Sequence, residues 1–293
     1  MIAGIWSAVL TPLNAGQAPD VAAALSYYRE LLQRGCDGVN LLGTTGEAMS
    51  FAADQRIAFM EAMASNGIPR ERTMAGTGAA SPADAVRLTH CAFACGFAAA
   101  LVMPPFFFRD AEDDGVVRFF DLLFSRTNPR PASVLLYNFP RMSGIAFHPD
   151  LVDRLVREFP GVIAGMKDSS NDARLQSEIL TRHPELEVLP GSESELPAAK
   201  ARGASGCISG SVALWPELAR DVFASGDEAS GERLSLARAA LDGAPFIPAV
   251  RYVTARLRRD ASWESPLPPL VPLDEAQRRA LDFAIAPFVE APR

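Results

Sequence analysis

The feature that most constrains this chain is an alternation that repeats almost to residue 210. Short apolar runs fall at 5–10, 37–42, 72–77, 98–103, 132–137, 161–167, 186–190 and 204–208. Longer amphipathic stretches separate them at 20–34, 52–65, 82–95, 111–126, 149–159, 171–182 and 194–201. Many runs are apolar at successive positions, as a strand buried on both faces of a parallel sheet requires. Helix starts carry proline at or near the first helical position, as in Ser81-Pro82 and His148-Pro149. Glycines follow the helical stretches at Gly35, Gly96 and Gly203. Eight strands with interleaved helices and right-handed crossovers predict a (β/α)8 TIM barrel, an α/β fold; a doubly wound open sheet is the alternative.

Beyond residue 210 the strand pattern stops. Residues 214–225, 228–242, 246–258 and 274–290 read as helices, with Ser265-Pro266-Leu267-Pro268-Pro269 as a connector. The expected organisation is a barrel over 1–225 and a C-terminal helical extension over 226–293. A length of 293 residues suits one such barrel, and 48% hydrophobic against 22% charged residues gives a soluble chain with ample core. No apolar stretch approaches the ~18 residues of a membrane span. The segment from Met1 to Trp6 shows no basic region ahead of an apolar one, so no secretory signal is expected. A net charge of −7 argues against nucleic acid as a partner. It leaves anionic metabolites open, because local groups read those.

Cys36, Cys91, Cys95 and Cys207 lack zinc-ribbon spacing, and inert thiols in a reducing cytoplasm are expected. Cys91 and Cys95, with His90 beside them, look like half a metal site. His148 and His183 lie far away in sequence, so no metal is expected.

Of 28 basic residues only two, Lys167 and Lys200, are lysines. Lys167 closes the apolar run Val162-Ile163-Ala164-Gly165-Met166 and delivers one amine to a strand end. Arginine could supply a positive charge there, but not a deprotonated amine. A neutral amine in an apolar pocket is a nucleophile toward carbonyls. A lysine snorkelling from a strand end is the plainer reading. Tyr137 ends another strand-like run, where a core tyrosine is the ordinary interpretation. Gly43-Thr44-Thr45-Gly46 breaks an apolar run with two glycines around two hydroxyls. It suits a carboxylate or phosphate, or a plain strand-to-helix turn. In a barrel the chemistry belongs at the C-terminal strand ends. Thr44 and Thr45 follow the second strand, Tyr137 ends the fifth and Lys167 the sixth. All four then share one rim, which favours function over coincidence. Lys200, on an expected helix, reads as a surface group.

Five segments carry a resemblance. Thr11-Pro12, Gly43-Thr44-Thr45-Gly46-Glu47, Tyr137-Asn138-Phe139-Pro140, Gly165-Met166-Lys167-Asp168 and Gly191-Ser192-Glu193 occur in this order along the chain. The chain resembles the dihydrodipicolinate synthase / N-acetylneuraminate lyase family of class I aldolases over nearly its full length. The resemblance implies a barrel with a C-terminal helical extension, assembled as a homotetramer that is a dimer of dimers. It implies that Lys167 forms a Schiff base with C2 of pyruvate or another 2-oxo acid, and that no cofactor is used. Thr44 and Thr45 would hold the carboxylate with Gly43, Tyr137 would shuttle protons, and Gly191 and Ile208 would line the pocket.

Two departures bear on the substrate. Synthases of the family carry a tyrosine pair after the fourth strand, whereas this chain has Met103-Pro104-Pro105-Phe106-Phe107-Phe108. They also place an arginine two residues after the proline of the Tyr-Asn-x-Pro motif. Here Met142 stands at that position and Arg141 one residue early, with Arg109 as another candidate cation. These losses favour an aldolase or dehydratase of a 2-keto-3-deoxy sugar acid. The alternatives are dihydrodipicolinate synthase itself and a non-catalytic 2-oxo-acid-binding barrel.

Overall fold

A computed structural model describes residues 2–289. The eight strands are β1 (Gly4–Ala8), β2 (Gly38–Leu41), β3 (Thr73–Gly76), β4 (Ala99–Val102), β5 (Val134–Asn138), β6 (Ile163–Asp168), β7 (Glu187–Pro190) and β8 (Gly206–Ser209). They pair in parallel in the order β7-β6-β5-β4-β3-β2-β1-β8. β1 pairs with both β2 and β8, and the two ends of the order, β7 and β8, come together, so the sheet curls on itself and the open-sheet alternative falls. The remaining seam, between β7 and β8, is bridged by the Ser205 N–H donating to the Val188 carbonyl at 3.0 Å. The result is a nearly closed TIM barrel.

The strands are apolar at successive positions because both faces are covered. Ile5, Val39, Leu41, Leu136, Met166 and Val188 point outward into the layer beneath the helices. Trp6, Met74, Leu101, Leu135, Tyr137 and Ile208 fill the interior. The period-two alternation of a strand makes this division. Residue 137 falls on the inward parity, which aims its side chain at the barrel axis rather than at a helix.

Helices begin where short polar side chains satisfy free N–H groups. Asp20 accepts from the Ala23 N–H, Ser81 from Asp84, and Asp172 from Arg174 and Leu175. The last cap explains why the expected stretch 171–182 becomes Ala173–Arg182. Likewise 194–201 starts later, at Leu196–Ala201, because Glu193–Glu195 is a 3-10 turn. A short helix, Pro140–Ser143, lies between β5 and the helix Pro149–Glu158, a stretch for which the sequence pattern predicts no element.

After Pro216–Ser225 come Glu228–Ala239, Phe246–Arg258 and Glu275–Ile285. The stretch expected at 274–290 stops at Ile285, and residues 290–293 lie outside the described part of the chain. The extension folds back on the first helix, Val21–Gln33: Arg258 pairs with Glu30 at 2.6 Å, and Trp263 packs edge-on against Tyr27 at 4.8 Å. No helix among the described residues is long and apolar enough to cross a membrane.

Candidate active site

Parallel register sets the first distance. Tyr137 on β5 pairs directly with Lys167 on β6, and Asn138 with Asp168. The Lys167 Nζ lies 4.4 Å from the centroid of the Tyr137 ring. Both side chains are almost enclosed, at 5% and 4% exposure. No carboxylate pairs with the Lys167 amine among the described residues. Its close neighbour is therefore a phenol, not a counter-ion. The Tyr137 hydroxyl reaches across to the Thr44 hydroxyl, 3.3 Å away, and the two share a hydrogen bond. Lys167, Tyr137 and Thr44 thus meet at one end of the barrel, on three different strands or their loops.

What fixes this arrangement lies behind it, on the outward parity. The Asn138 amide donates to Asp168 Oδ1 at 2.7 Å and accepts from the Phe147 N–H at 3.0 Å. Gln176 donates to Asp168 Oδ2 at 2.9 Å, and the Ser170 N–H donates to Oδ1 at 3.1 Å. The ends of β5 and β6 are cross-linked through charge-assisted bonds immediately after Tyr137 and Lys167. Gln176 also donates to Glu195 at 3.1 Å. Burial, with Asp168 near by, lifts the Glu195 carboxyl above its ordinary range even though Gln176 favours the ionised form. Sequence reasoning saw Asn138 and Asp168 only as letters of a motif. Gln176 carried no signal, being one polar residue in an amphipathic helix.

The loop after β2 is the most specialised backbone in the barrel. Leu42 and Glu47, its two ends, both adopt left-handed conformations, with φ of 51° and 54°. Such conformations cost a non-glycine residue about 1–3 kcal/mol and persist only where surroundings enforce them. Between them, Thr44 is half-buried and Thr45 buried. Among the described residues the N–H groups of Thr44, Thr45 and Gly46 find no acceptor within the chain. Unpaired N–H groups beside two hydroxyls are chemically suited to an anion. Gly43 is required for packing, since a Cβ there would stand 2.5 Å from the Asn40 amide nitrogen.

Gly191 follows β7 and leaves no room for a side chain either: a Cβ would fall 2.1 Å from Ser169 Oγ. Ile208 is fully buried and belongs to the same interior cluster as Tyr137. Beside it, Glu193 is buried and accepts from the Ser209 hydroxyl and, at 2.9 Å, from the Trp215 indole N–H. Glu193 therefore braces the turn after β7 against β8.

The two sequence departures lie at the rim. Arg141 is exposed on the short helix Pro140–Ser143, and Met142 beside it is 48% exposed. Arg109 drapes over Gly144, where a Cβ would meet its side chain at 2.5 Å. Phe106 is half-buried against the interior cluster, whereas Phe107 is 75% exposed. Lys200 is exposed and donates to the Phe223 carbonyl, far from this rim. The Cys91 and Cys95 sulfurs lie 3.9 Å apart. Among the described residues no group of three His, Cys, Asp or Glu side chains is placed to hold a metal ion.

A parallel (β/α)8 barrel with a lone buried lysine at a strand end, faced by a tyrosine and a loop of two threonines, is the framework of a lyase of the class I aldolase type. The chain belongs to the dihydrodipicolinate synthetase family, whose model matches residues 1–286. It is 34% identical over 294 residues to an uncharacterized DapA-like lyase of Chloroflexus aurantiacus, covering 96% of this chain and 95% of that one. It is 29% identical over 287 residues to the 4-hydroxy-tetrahydrodipicolinate synthase of a Synechococcus strain, with 96% and 94% covered. The crystal structure of dihydrodipicolinate synthase from Agrobacterium tumefaciens superimposes with a TM-score of 0.91 at 29% identity, covering 98% of this chain and 99% of that one.

Proposed function

We propose that the protein cleaves or dehydrates a 2-keto-3-deoxy sugar acid through a Schiff base on Lys167, with pyruvate as the product of cleavage. The observation that carries the reading is the meeting of the Lys167 amine, the Tyr137 phenol and the Thr44 hydroxyl, with 4.4 Å from amine to ring centroid and 3.3 Å between hydroxyls. The Lys167 amine, in its neutral form, attacks C2 of the 2-oxo acid. Tyr137 gives its proton to the departing hydroxyl, which leaves as water, so that a protonated imine remains beside the Tyr137 phenolate. In the cleavage direction the C4 hydroxyl gives its proton to Tyr137 while the C3–C4 electrons move into the imine, forming an enamine and an aldehyde. Returning that proton to C3 regenerates the imine, and water releases pyruvate. In dehydration the proton leaves C3 instead, and hydroxide departs from C4 as water. One positioned acid–base group serves either path. The unpaired N–H groups and hydroxyls of Thr44 and Thr45, with Gly43 behind them, hold the carboxylate and fix the attack geometry. Gly191 and Ile208 line the floor, and Arg141 stands at the mouth.

The substrate choice rests on Phe106 and Met142. Aspartate semialdehyde brings a second carboxylate, and neither Phe106 nor Met142 offers it a cation or a hydrogen-bond donor. A polyhydroxy chain asks for no such cation. The named synthases among the relatives favour the second reading, condensation of pyruvate with aspartate semialdehyde, with Arg141 or Arg109 supplying the charge. A binding protein without catalysis fits poorly, because Lys167 and Tyr137 are both in place. The reading extends to a cytoplasmic homotetramer: four free buried thiols suit a reducing compartment, and sedimentation would test the assembly. For the substrate, kcat/KM on 2-keto-3-deoxy sugar acids should exceed that for aspartate-semialdehyde condensation by at least about tenfold. Efficient condensation with no activity on any sugar acid would establish the synthase instead.

A further inference from the structure

The loop that carries Thr44 and Thr45 is held from outside the barrel. Glu47 ends that loop in a left-handed conformation, with its carboxylate buried. One oxygen accepts from Arg251 Nε, and the other accepts from the Leu267 N–H at 2.6 Å. Arg251 sits in the helix Phe246–Arg258 and is fully buried. Its other nitrogens donate to the Thr11 carbonyl at 2.9 Å and the Trp263 carbonyl at 3.2 Å. Thr11, in turn, donates from its hydroxyl to the Gly46 carbonyl at 3.0 Å. One guanidinium therefore ties the loops after β1 and β2 to two segments of the C-terminal extension. The same helix begins with Phe246. A Cβ at Gly210 would stand 3.1 Å from the Phe246 ring and 2.5 Å from Thr45 Oγ1, so Thr45 is packed near the extension as well.

We infer that Arg251 is a positioning residue for the carboxylate-binding loop, which makes the helical extension part of the catalytic apparatus. The inference rests on the carboxylate role proposed for Thr44 and Thr45. A left-handed Glu47 needs enforcement, and a planar five-donor cation reaching three acceptors supplies it. A lysine keeps the charge but is a point donor that cannot span the same three acceptors. Without the tie, Glu47 relaxes toward an ordinary conformation, and the loop that carries Thr44 and Thr45 shifts with it.

The test uses the full chain and pyruvate as the probe. Arg251→Lys and the double variant Glu47→Gln with Arg251→Met are prepared, the second so that no buried charge is left alone. Borohydride-dependent modification of Lys167 is followed against pyruvate concentration. Half-saturation should rise by about tenfold or more, because a carboxylate grip displaced by an ångström loses its alignment. The trapping rate at saturating pyruvate should stay within about threefold, since the lysine itself is untouched. Folded variants with half-saturation within about twofold of the unaltered protein would overturn the inference. In the unaltered protein, pyruvate should slow hydrogen exchange at the Leu267 amide, because coupling between two sites is reciprocal. No change there would also count against it, whether or not the variants fold. Failure of pyruvate to label the unaltered protein at all would instead sink the Schiff-base reading.

Discussion

Asn138→Ala tests whether the brace behind the active site does what its geometry says. The substitution removes an amide that is fully buried and bonded on both sides. Its donor side serves the Asp168 carboxylate, and a hydrogen bond to a charged group is worth roughly 1.5–3 kcal/mol. Its acceptor side satisfies the Phe147 N–H, and a buried donor left unpaired costs roughly 1–3 kcal/mol. Asp168 keeps its bonds from Gln176 and Ser170, so its charge is not stranded and the lower ends of both ranges apply. The expected loss is about 2.5 kcal/mol, read from urea unfolding as a lower midpoint with an unchanged slope. Catalysis should suffer as well, because Tyr137 and Lys167 are the residues immediately before the brace. A folded variant should show a fall in kcat of about tenfold or more, with KM for the oxo acid less affected. A stability loss under about 1 kcal/mol together with unchanged kcat would refute the idea that this bond holds the two strand ends in register.

Two further outcomes follow from the same geometry. Tyr137→Phe deletes the hydroxyl bonded to Thr44 and should lower kcat by about 10²–10⁴ while leaving the fold intact; near-normal turnover would make Tyr137 a core aromatic only. Glu195 has a carboxyl raised by burial, so the folded state favours its protonated form. The stability it contributes is present at low pH and lost as pH rises through its folded-state value. Glu195→Gln should therefore melt above the unaltered protein at pH 8, with the gap closing on acidification; a gap that widens toward low pH would reverse the assignment.

Much of the fold is legible because buried parallel strands leave an unmistakable trace. Val134-Leu135-Leu136 is apolar at every position because both of its faces are covered, and the helical stretches between such runs leave little topological freedom. The meeting of Tyr137 and Lys167 was legible for the same reason, since neighbouring strands of a barrel bring their ends side by side. Other parts leave no periodic trace. Pro140–Ser143 is one turn of helix, too short to show a 3.6-residue repeat. Gln176 is one polar residue among many on its helix, and only the position of Asp168 gives it a role. Arg251 and Glu47 are 204 residues apart, and nothing local in either segment announces the other. The sequence pattern of 246–258 is helical and the segment is a helix, yet the full burial of Arg251 within it depends on tertiary packing alone.

The central claim is that Lys167 is the Schiff-base nucleophile, and borohydride trapping tests it most directly. Incubation with pyruvate and borohydride, followed by digestion and mass mapping, should place one reduced pyruvyl adduct on Lys167. Lys167→Arg should abolish both the adduct and turnover, because a guanidinium stays protonated and cannot attack a carbonyl. An adduct on Lys200, or labelling that survives Lys167→Arg, would contradict the account.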